Sequence, residues 1–351
     1  MRPVTFIHIS DLHYGFAPQP ANLTASARKI AGRLAGTIVG CGLGHARPAL
    51  IDLERFVRKE RLEGRRQGYD VQLIVTGDLT SCGEPTQFEE ITQYFARAPH
   101  PSGNPKGLDQ ANWMTYTIPG NHDHWPGTPM IIPGEPTPAF GTSFDSMPST
   151  SPIFSLGCNL PVVRFLRIDT DAGVHAFSPE RWYAIGRFKR QLDQLAYKLR
   201  QEPPAPEIRI LLLHHSVTHI GTTLHIADDS REALDRFILD HDIALLLCGH
   251  IHKANLGYHA VSATKKVLEA RCGTTAQIGK EDYTMTPGAG DEPVDSRIWR
   301  RSLLVHRLYQ SAKEIHWEVK VYVHAHAGGF EPAHLLPTGG PVQETVRVWP
   351  K

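Results

Sequence analysis

Five short stretches of this 351-residue chain end in side chains able to hold a metal ion or move a proton. They are Asp11-Leu12-His13, Gly77-Asp78, Gly120-Asn121-His122-Asp123, His214-His215 and Gly249-His250-Ile251-His252. Each follows an apolar run, at residues 4–9, 71–76, 114–118, 208–213 and 244–247. Runs this short and this continuously aliphatic read as strands buried on both faces. In open α/β sheets the carboxyl ends of the strands converge on a crevice, which is where sites form. Glycines flank three of the five ends, so the backbone can turn sharply there.

Asp, Asn and His supply oxygen and nitrogen donors without sulfur. Such a set suits Mn, Fe, Zn or Co better than Cu(I), and it is too rich in nitrogen for a calcium site. Seven candidate ligands (Asp11, His13, Asp78, Asn121, His214, His250 and His252) exceed what one tetrahedral ion takes. Two ions are the simpler reading, and two divalent ions ~3.5–4 Å apart clamp a phosphoryl group. Strand-end capping and turn chemistry would account for any one of these residues. It would have to act five times, in order, to account for all of them. His8, inside the first apolar run, reads as a satisfied core histidine. His306, His316, His324, His326 and His334 stand in no motif and are taken as surface or core residues.

The elements that must position these residues follow from periodicity. Further strands are predicted at 162–168, 265–270, 302–308 and 315–324, the last two alternating apolar and polar. Helices are predicted at 49–66, 84–98, 179–201 and 231–241, with Ser178 and Ser230 as N-caps for the last two. Strand–helix alternation to about residue 250, followed mainly by strands, indicates a layered α/β fold. Residues 126–152 and 14–48 read as long loops, and long loops in a compact domain usually have a function. The chain is expected to form one domain over 1–325, with a tail at 326–351 rich in Gly, Pro and His.

Composition narrows the function. The net charge is +1, which argues against extended nucleic acid and against a polybasic membrane surface. Five cysteines without a C-x-x-C pair indicate neither a disulfide framework nor a thiolate zinc site. The N-terminus lacks a long apolar segment and a small-residue cleavage site, so no signal peptide is expected. No stretch approaches the roughly 18 apolar residues of a membrane span. A soluble, cytoplasmic protein is the expectation. Residues 24–39 are a candidate apolar cover for a hydrophobic substrate.

The ordered set D-x-H, G-D, G-N-H-D, H and G-H-x-H resembles that of the calcineurin-like metallophosphoesterase superfamily, over roughly residues 4–275. The resemblance implies a four-layer αββα fold, a β-sandwich flanked by helices. It implies that Asp11, His13 and His252 hold one metal, that Asn121, His214 and His250 hold the other, and that Asp78 bridges them. A metal-bridging hydroxide would be the in-line nucleophile. His122 would be the general acid, or a positive partner for charge developing at phosphorus, with Asp123 orienting it. Of the histidine pair, His214 is taken as the ligand, since neighbouring side chains on an extended backbone point apart. His124, His215 and Arg271 are candidate substrate contacts, although a solvated arginine is the simpler reading of Arg271. His219 and His225, after His214, are weaker candidates of the same kind.

The motif 77–83 lacks the Asp-Arg pair of the phosphoprotein phosphatases and removes a phosphate-binding arginine from its usual place. The sequence is more similar to class III cyclic nucleotide phosphodiesterases and glycerophosphodiesterase-type relatives. A binuclear phosphodiesterase acting on a small-molecule phosphoester is therefore expected. Phosphomonoesterase and nucleotide-lipid pyrophosphatase activities on the same metals are the alternatives, and a non-catalytic binding module is the reading from another class.

Overall fold

Strand β1 (Val4–Ile9) sends Phe6 to one side and Ile7 to the other, and both side chains are fully buried. Alternation with period two therefore requires cover on both faces of this strand. The computed structural model supplies it. It describes residues 3–15, 44–81, 83, 85–97, 107–124, 152–156, 161–174, 178, 180, 183–277, 301–325, 327–334 and 341–349. The expected loops at 14–48 and 126–152, and the candidate cover at 24–39, lie almost wholly outside them.

In chain order the remaining elements are helix α1 (Arg47–Gln67), β2 (Val71–Thr76), α2 (Pro85–Ala96), β3 (Thr117–Ile118), β4 (Ile153–Leu156) and β5 (Val162–Arg167). They continue with α3 (Lys189–Gln201), β6 (Glu207–Leu212), α4 (Asp228–Asp240), β7 (Ile243–Cys248), β8 (Asn255–Ala260) and β9 (Lys266–Arg271). The last strands are β10 (Ser302–Ser311), β11 (Glu314–His324), β12 (Phe330–Pro332) and β13 (Gln343–Trp349). One seven-stranded sheet has the order β12-β11-β10-β1-β2-β3, with β13 also on β11. The other, six-stranded, has the order β4-β5-β6-β7-β9-β8.

The inner faces meet in one apolar cluster, where Phe6, Ile74 and Leu304 oppose Phe165, Leu212 and Leu247. The outer face of the first sheet packs Ile7, Leu73 and Val305 against Leu50 and Leu53 of α1 and Ile91 and Phe95 of α2. The outer face of the second packs Leu211 and Leu246 against Leu192 and Leu195 of α3 and Leu234 and Phe237 of α4. The result is two sheets flanked by helices, the layered α/β fold that the motifs implied. β1, β2 and β3 run parallel, as do β5, β6, β7 and β9. Their carboxyl ends are where the polar motifs lie.

Several boundaries differ from expectation for identifiable reasons. The run 114–118 is mostly a 3-10 turn (Trp113–Tyr116), with only Thr117–Ile118 in the sheet. Trp113 is drawn into the helix layer, stacked on Phe95 at 4.9 Å. Of the helix expected over 179–201, α3 covers Lys189–Gln201, and residues 183–188 before it are not helical. Ser230 Oγ of α4 accepts hydrogen bonds from the Phe188 and Lys189 amides, so the cap comes from a neighbouring helix. Ser230 itself lies inside the first turn of α4, which starts at Asp228. Residues after 325 are not simply a tail. β12 and β13 both pair with β11, and Val348 is buried in the inter-sheet cluster. The Gly- and Pro-rich composition there masked the alternation of 343–349. Strands β4 and β8 were also not foreseen.

Candidate metal centre

The first sheet delivers Asp11 and His13 after β1, Asp78 after β2 and Asn121 and His122 after β3. The second delivers His214 after β6 and His250 and His252 after β7. The site thus lies where the carboxyl ends of the two face-packed sheets come together. Asp11, His13, Asp78, His250 and His252 all adopt positive φ, at 52, 47, 50, 73 and 55°. This conformation is uncommon outside glycine, though Asp and His tolerate it better than most. Strain repeated at five residues of three strand ends points to a functional cluster. Gly77, at φ 99°, lets its strand end close on His214, where a Cβ would lie 2.5 Å from Nδ1.

Asp11, His13, Asp78 and His252 form one group of potential ligand atoms, and Asp78, His214 and His250 form a second. Within each group the atoms lie within 4.8 Å of one another. Asp78 belongs to both. His13 Nε2 lies 3.6 Å from Asp78 Oδ2, His214 Nε2 3.3 Å from the same oxygen, and His252 Nε2 3.1 Å from Asp11 Oδ1. Asn121 Oδ1 is 3.1 Å from His214 Nε2, which brings the amide into the second group. The structure therefore gathers all seven sequence-predicted ligands.

Each carboxylate divides its oxygens. Asp11 Oδ2 accepts the His250 amide at 3.1 Å and Asp78 Oδ1 the His122 amide at 2.8 Å, so each ties one strand end to another. Asp11 Oδ1 and Asp78 Oδ2 are buried without a hydrogen bond, as are both ring nitrogens of His13 and Nε2 of His250. Buried polar atoms are rarely left this way, and these converge on one another. A divalent cation in each group supplies the partner they lack, so the donor set fits two cations. His214 is oriented for the task, because its Nδ1–H donates to the Thr76 carbonyl at 2.6 Å and Nε2 faces the cluster.

The electrostatics reflect the same crowding. Burial lowers the pKa of His13 and His250 well below the ordinary value, with neighbouring histidines adding to the effect. Burial also opposes charge on His214, but Asp78 outweighs it and raises the ring to about 10. Burial opposes ionisation of Asp78, yet His214 and His122 hold it well below the usual carboxylate range. One protonated ring thus compensates a buried carboxylate, the role a cation takes over when it binds.

His122 is 5% exposed, and its Nδ1–H donates to the Ser81 carbonyl at 2.9 Å. Asp123 does not orient it, which corrects the expectation. Its oxygens accept from the Leu79, Thr80 and Gly120 amides and from Thr80 Oγ1, at 2.8–3.1 Å. Asp123 holds the loop that carries Asp78, and burial together with the Asp78 charge pushes its pKa up to about 6.

The three candidate substrate contacts are placed differently. His124 Nε2 meets the Asp169 carboxylate at 2.9 and 3.0 Å. His215 is fully buried, between Thr170 Oγ1 at 2.7 Å and the Ala184 carbonyl at 3.1 Å, with its ring 4.1 Å from that of His250. It supports a ligand from behind. Arg271 is 8% exposed, hydrogen-bonded to the Lys253 carbonyl and Ser216, and is not the solvated arginine anticipated. Asp169, Ser81 and Glu269 were missed. The strand 162–167 also runs into acidic residues, Asp169 and Asp171, the signal that served for the other strand ends.

Residues 4–254 match the family of calcineurin-like phosphoesterases. The chain belongs to this family, a class of metallophosphoesterases, and it carries the family's Asp/His cluster. No curated protein matches the chain. Among solved structures, it is similar to GAP50, the anchor in the inner membrane complex of Plasmodium. That likeness has 10% identity and a TM-score of 0.49, covering 99% of this chain and 89% of that one. It is also similar to the sulfate thiohydrolase SoxB of Thermus thermophilus, with 12% identity and a TM-score of 0.39, covering 98% of this chain and 56% of that one. A predicted phosphoesterase from Streptococcus pneumoniae has 10% identity and a TM-score of 0.30, covering 99% of each chain.

Proposed function

We propose that the chain is a binuclear metal-dependent phosphodiesterase acting on a small-molecule phosphoester. The observation that supports this best is the sharing of Asp78 by two ligand groups in which Asp11 Oδ1, Asp78 Oδ2, both ring nitrogens of His13 and Nε2 of His250 are buried without a hydrogen bond. Asp11, His13, Asp78 and His252 would hold one cation, and Asp78, Asn121, His214 and His250 the other. Mn, Fe, Zn and Co all suit these donors. Bound there, two cations supply Lewis-acid charge to phosphoryl oxygens and lower the pKa of water.

The chain's own residues do the rest. The strand ends hold the phosphoryl group at the meeting line of the sheets, with its ester oxygens toward His122. The Ser81 carbonyl fixes Nδ1–H of His122 and leaves Nε2 as the atom that carries the moving proton. Burial lowers the pKa of this ring, so Nε2 takes up that proton as the negatively charged phosphoester enters and delivers it to the departing oxygen. Asp123 keeps the Asp78 loop in register while charge shifts across the site. Arg271 directs its donors to Lys253 and Ser216, which favours a singly charged diester over a doubly charged monoester. Cys248 and Cys272 are buried free thiols, in keeping with a reducing cytoplasmic setting. Among the described residues, no helix is long and apolar enough to cross a membrane.

The test compares bis(p-nitrophenyl) phosphate with p-nitrophenyl phosphate on Mn²⁺-loaded protein. Faster cleavage of the diester is the expected result. Preference for the monoester overturns the diesterase reading and leaves the metal centre standing. Cleavage of neither, with two metals bound, favours a non-catalytic module.

A further inference from the structure

Behind the metal centre lies a buried charged pair for which the reaction as described has no use. Glu269 and Arg271 sit two residues apart on β9, on the face turned toward the second helix layer. Glu269 is fully buried. Its Oε1 accepts from Ser216 Oγ at 2.8 Å and Thr218 Oγ1 at 2.6 Å, and its Oε2 from the Val217 and Thr218 amides at 2.6 and 3.2 Å. All four donors belong to the three residues that begin two places after His214. A buried carboxylate is costly unless its lone pairs are filled, and here the ligand loop fills them.

Arg271 reaches further. Its Nη1 donates to Ser216 Oγ at 2.9 Å, and its Nε donates to the Lys253 carbonyl at 3.0 Å. Lys253 follows His252 directly. One guanidinium therefore spans the loop that carries His214 and the loop that carries His250 and His252. Nη1 is 3.8 Å from Glu269 Oε1, and Ser216 Oγ donates to the acid while accepting from the base. The planar fork of arginine suits this two-loop span as a lysine point charge does not.

We propose that Glu269 and Arg271 are positioning residues that set how the second sheet presents its ligands: Glu269 for the His214 group alone, Arg271 for both groups. The inference rests on the metal-centre reading above. Outer partners that orient ligands typically affect metal affinity by about 10–100-fold.

Calorimetric titration of Mn²⁺ into metal-free full-length protein tests it, alongside thermal unfolding of the same samples. In Glu269→Gln, one of the two binding events should weaken about tenfold or more, while the other stays within twofold of wild type. In Arg271→Met, both events should weaken. A merely structural role would loosen both sites equally in both variants, or neither. Equal weakening of the two events by Glu269→Gln therefore overturns the proposal, as do affinities within twofold of wild type in both variants. Where either variant does not fold, Ser216→Ala removes the shared hydroxyl and leaves both charges in place. It should still weaken the His214-group event selectively, and unchanged affinities there overturn the proposal. A wild type that binds no Mn²⁺ overturns the metal-centre reading and this inference together. A wild type that binds two ions, with variants that match it, overturns this inference alone.

Discussion

Two sets of buried histidines lie in this protein, and burial does not distinguish them. His13, His214 and His250 are at most 4% exposed, and so are His8 and His306 in the inter-sheet core. Both sets include ring nitrogens without a hydrogen bond. They differ in company and in backbone. The first set lies at strand ends, with His13 and His250 at positive φ, among the carboxylates of Asp11 and Asp78. The second lies inside regular strands with neutral partners. His8 meets Thr76 Oγ1 at 2.8 Å, and His306 accepts from the Trp317 indole at 3.0 Å while stacking on Phe6. Burial lowers the pKa of His8 to about 3 and that of His306 well below its ordinary value, so these rings are neutral structural groups. Converging carboxylates, rather than buried imidazole, mark the ligand site.

The largest effect expected from this contrast is at Asp78. Asp78→Ala should reduce phosphoester cleavage by about 10³-fold or more, because it removes the donor common to both groups. Elemental analysis should then find fewer than two ions per chain. Full metal content with full activity would contradict the shared-ligand assignment.

His122→Ala should cost about 10²–10⁴-fold in kcat while both ions stay bound. The loss should shrink for substrates whose leaving group needs no proton, such as nitrophenolate, and that dependence separates proton transfer from a structural defect.

Gly249→Ala should act through backbone crowding, since its Cβ would collide with Ser10 Oγ and the Asp11 carboxylate. A destabilisation of about 1–3 kcal/mol is expected, with metal affinity lowered as well. Denaturant unfolding and metal titration of the same sample test the pair of effects.

His306→Phe tests the other side of the comparison. It keeps the stack on Phe6 and leaves the Trp317 indole N–H without its acceptor, at a cost of about 1–3 kcal/mol in stability. Metal content and kcat should match wild type, and loss of an ion here would erase the distinction between the two sets.

The smallest effect concerns a single histidine–carboxylate pair. Asp52 of α1 accepts from His324 Nε2 at 2.9 Å, the Gly329 amide at 2.8 Å and Arg55 at 3.1 Å, which fastens the β11–β12 turn to the helix. Burial opposes ionisation of Asp52, but these donors together hold its pKa below the ordinary 3.8. The stabilisation is therefore complete above the unfolded-state value and is lost as pH falls through the lower folded-state value. Asp52→Asn should cost about 1 kcal/mol at neutral pH. The difference from wild type should vanish in acid, as followed by thermal unfolding against pH. No change in metal content is expected.

The sequence by itself pointed to the candidate ligand set, because Asp, Asn and His at the ends of buried apolar strands are a local pattern that needs no partner to be recognised. It likewise determined the layered α/β class, since apolar runs alternating with amphipathic helices leave few ways to bury both faces of a sheet. Only the tertiary structure decided which groups stand behind the ligands. Asp123 reads as a companion of His122 because it is adjacent in sequence, yet its oxygens bind the Asp78 loop. Arg271 reads as exposed because arginine usually is, yet it is enclosed between two loops. Ser230 reads as the cap of its own helix and caps the neighbouring one. β13 reads as a tail, yet it closes one edge of a sheet. In each case the deciding partner lies far away in the chain, and a hydrogen bond between distant segments has no local signature. Asp78 and His214, 3.3 Å apart, meet only because two sheets pack face to face and bring their carboxyl ends to one line.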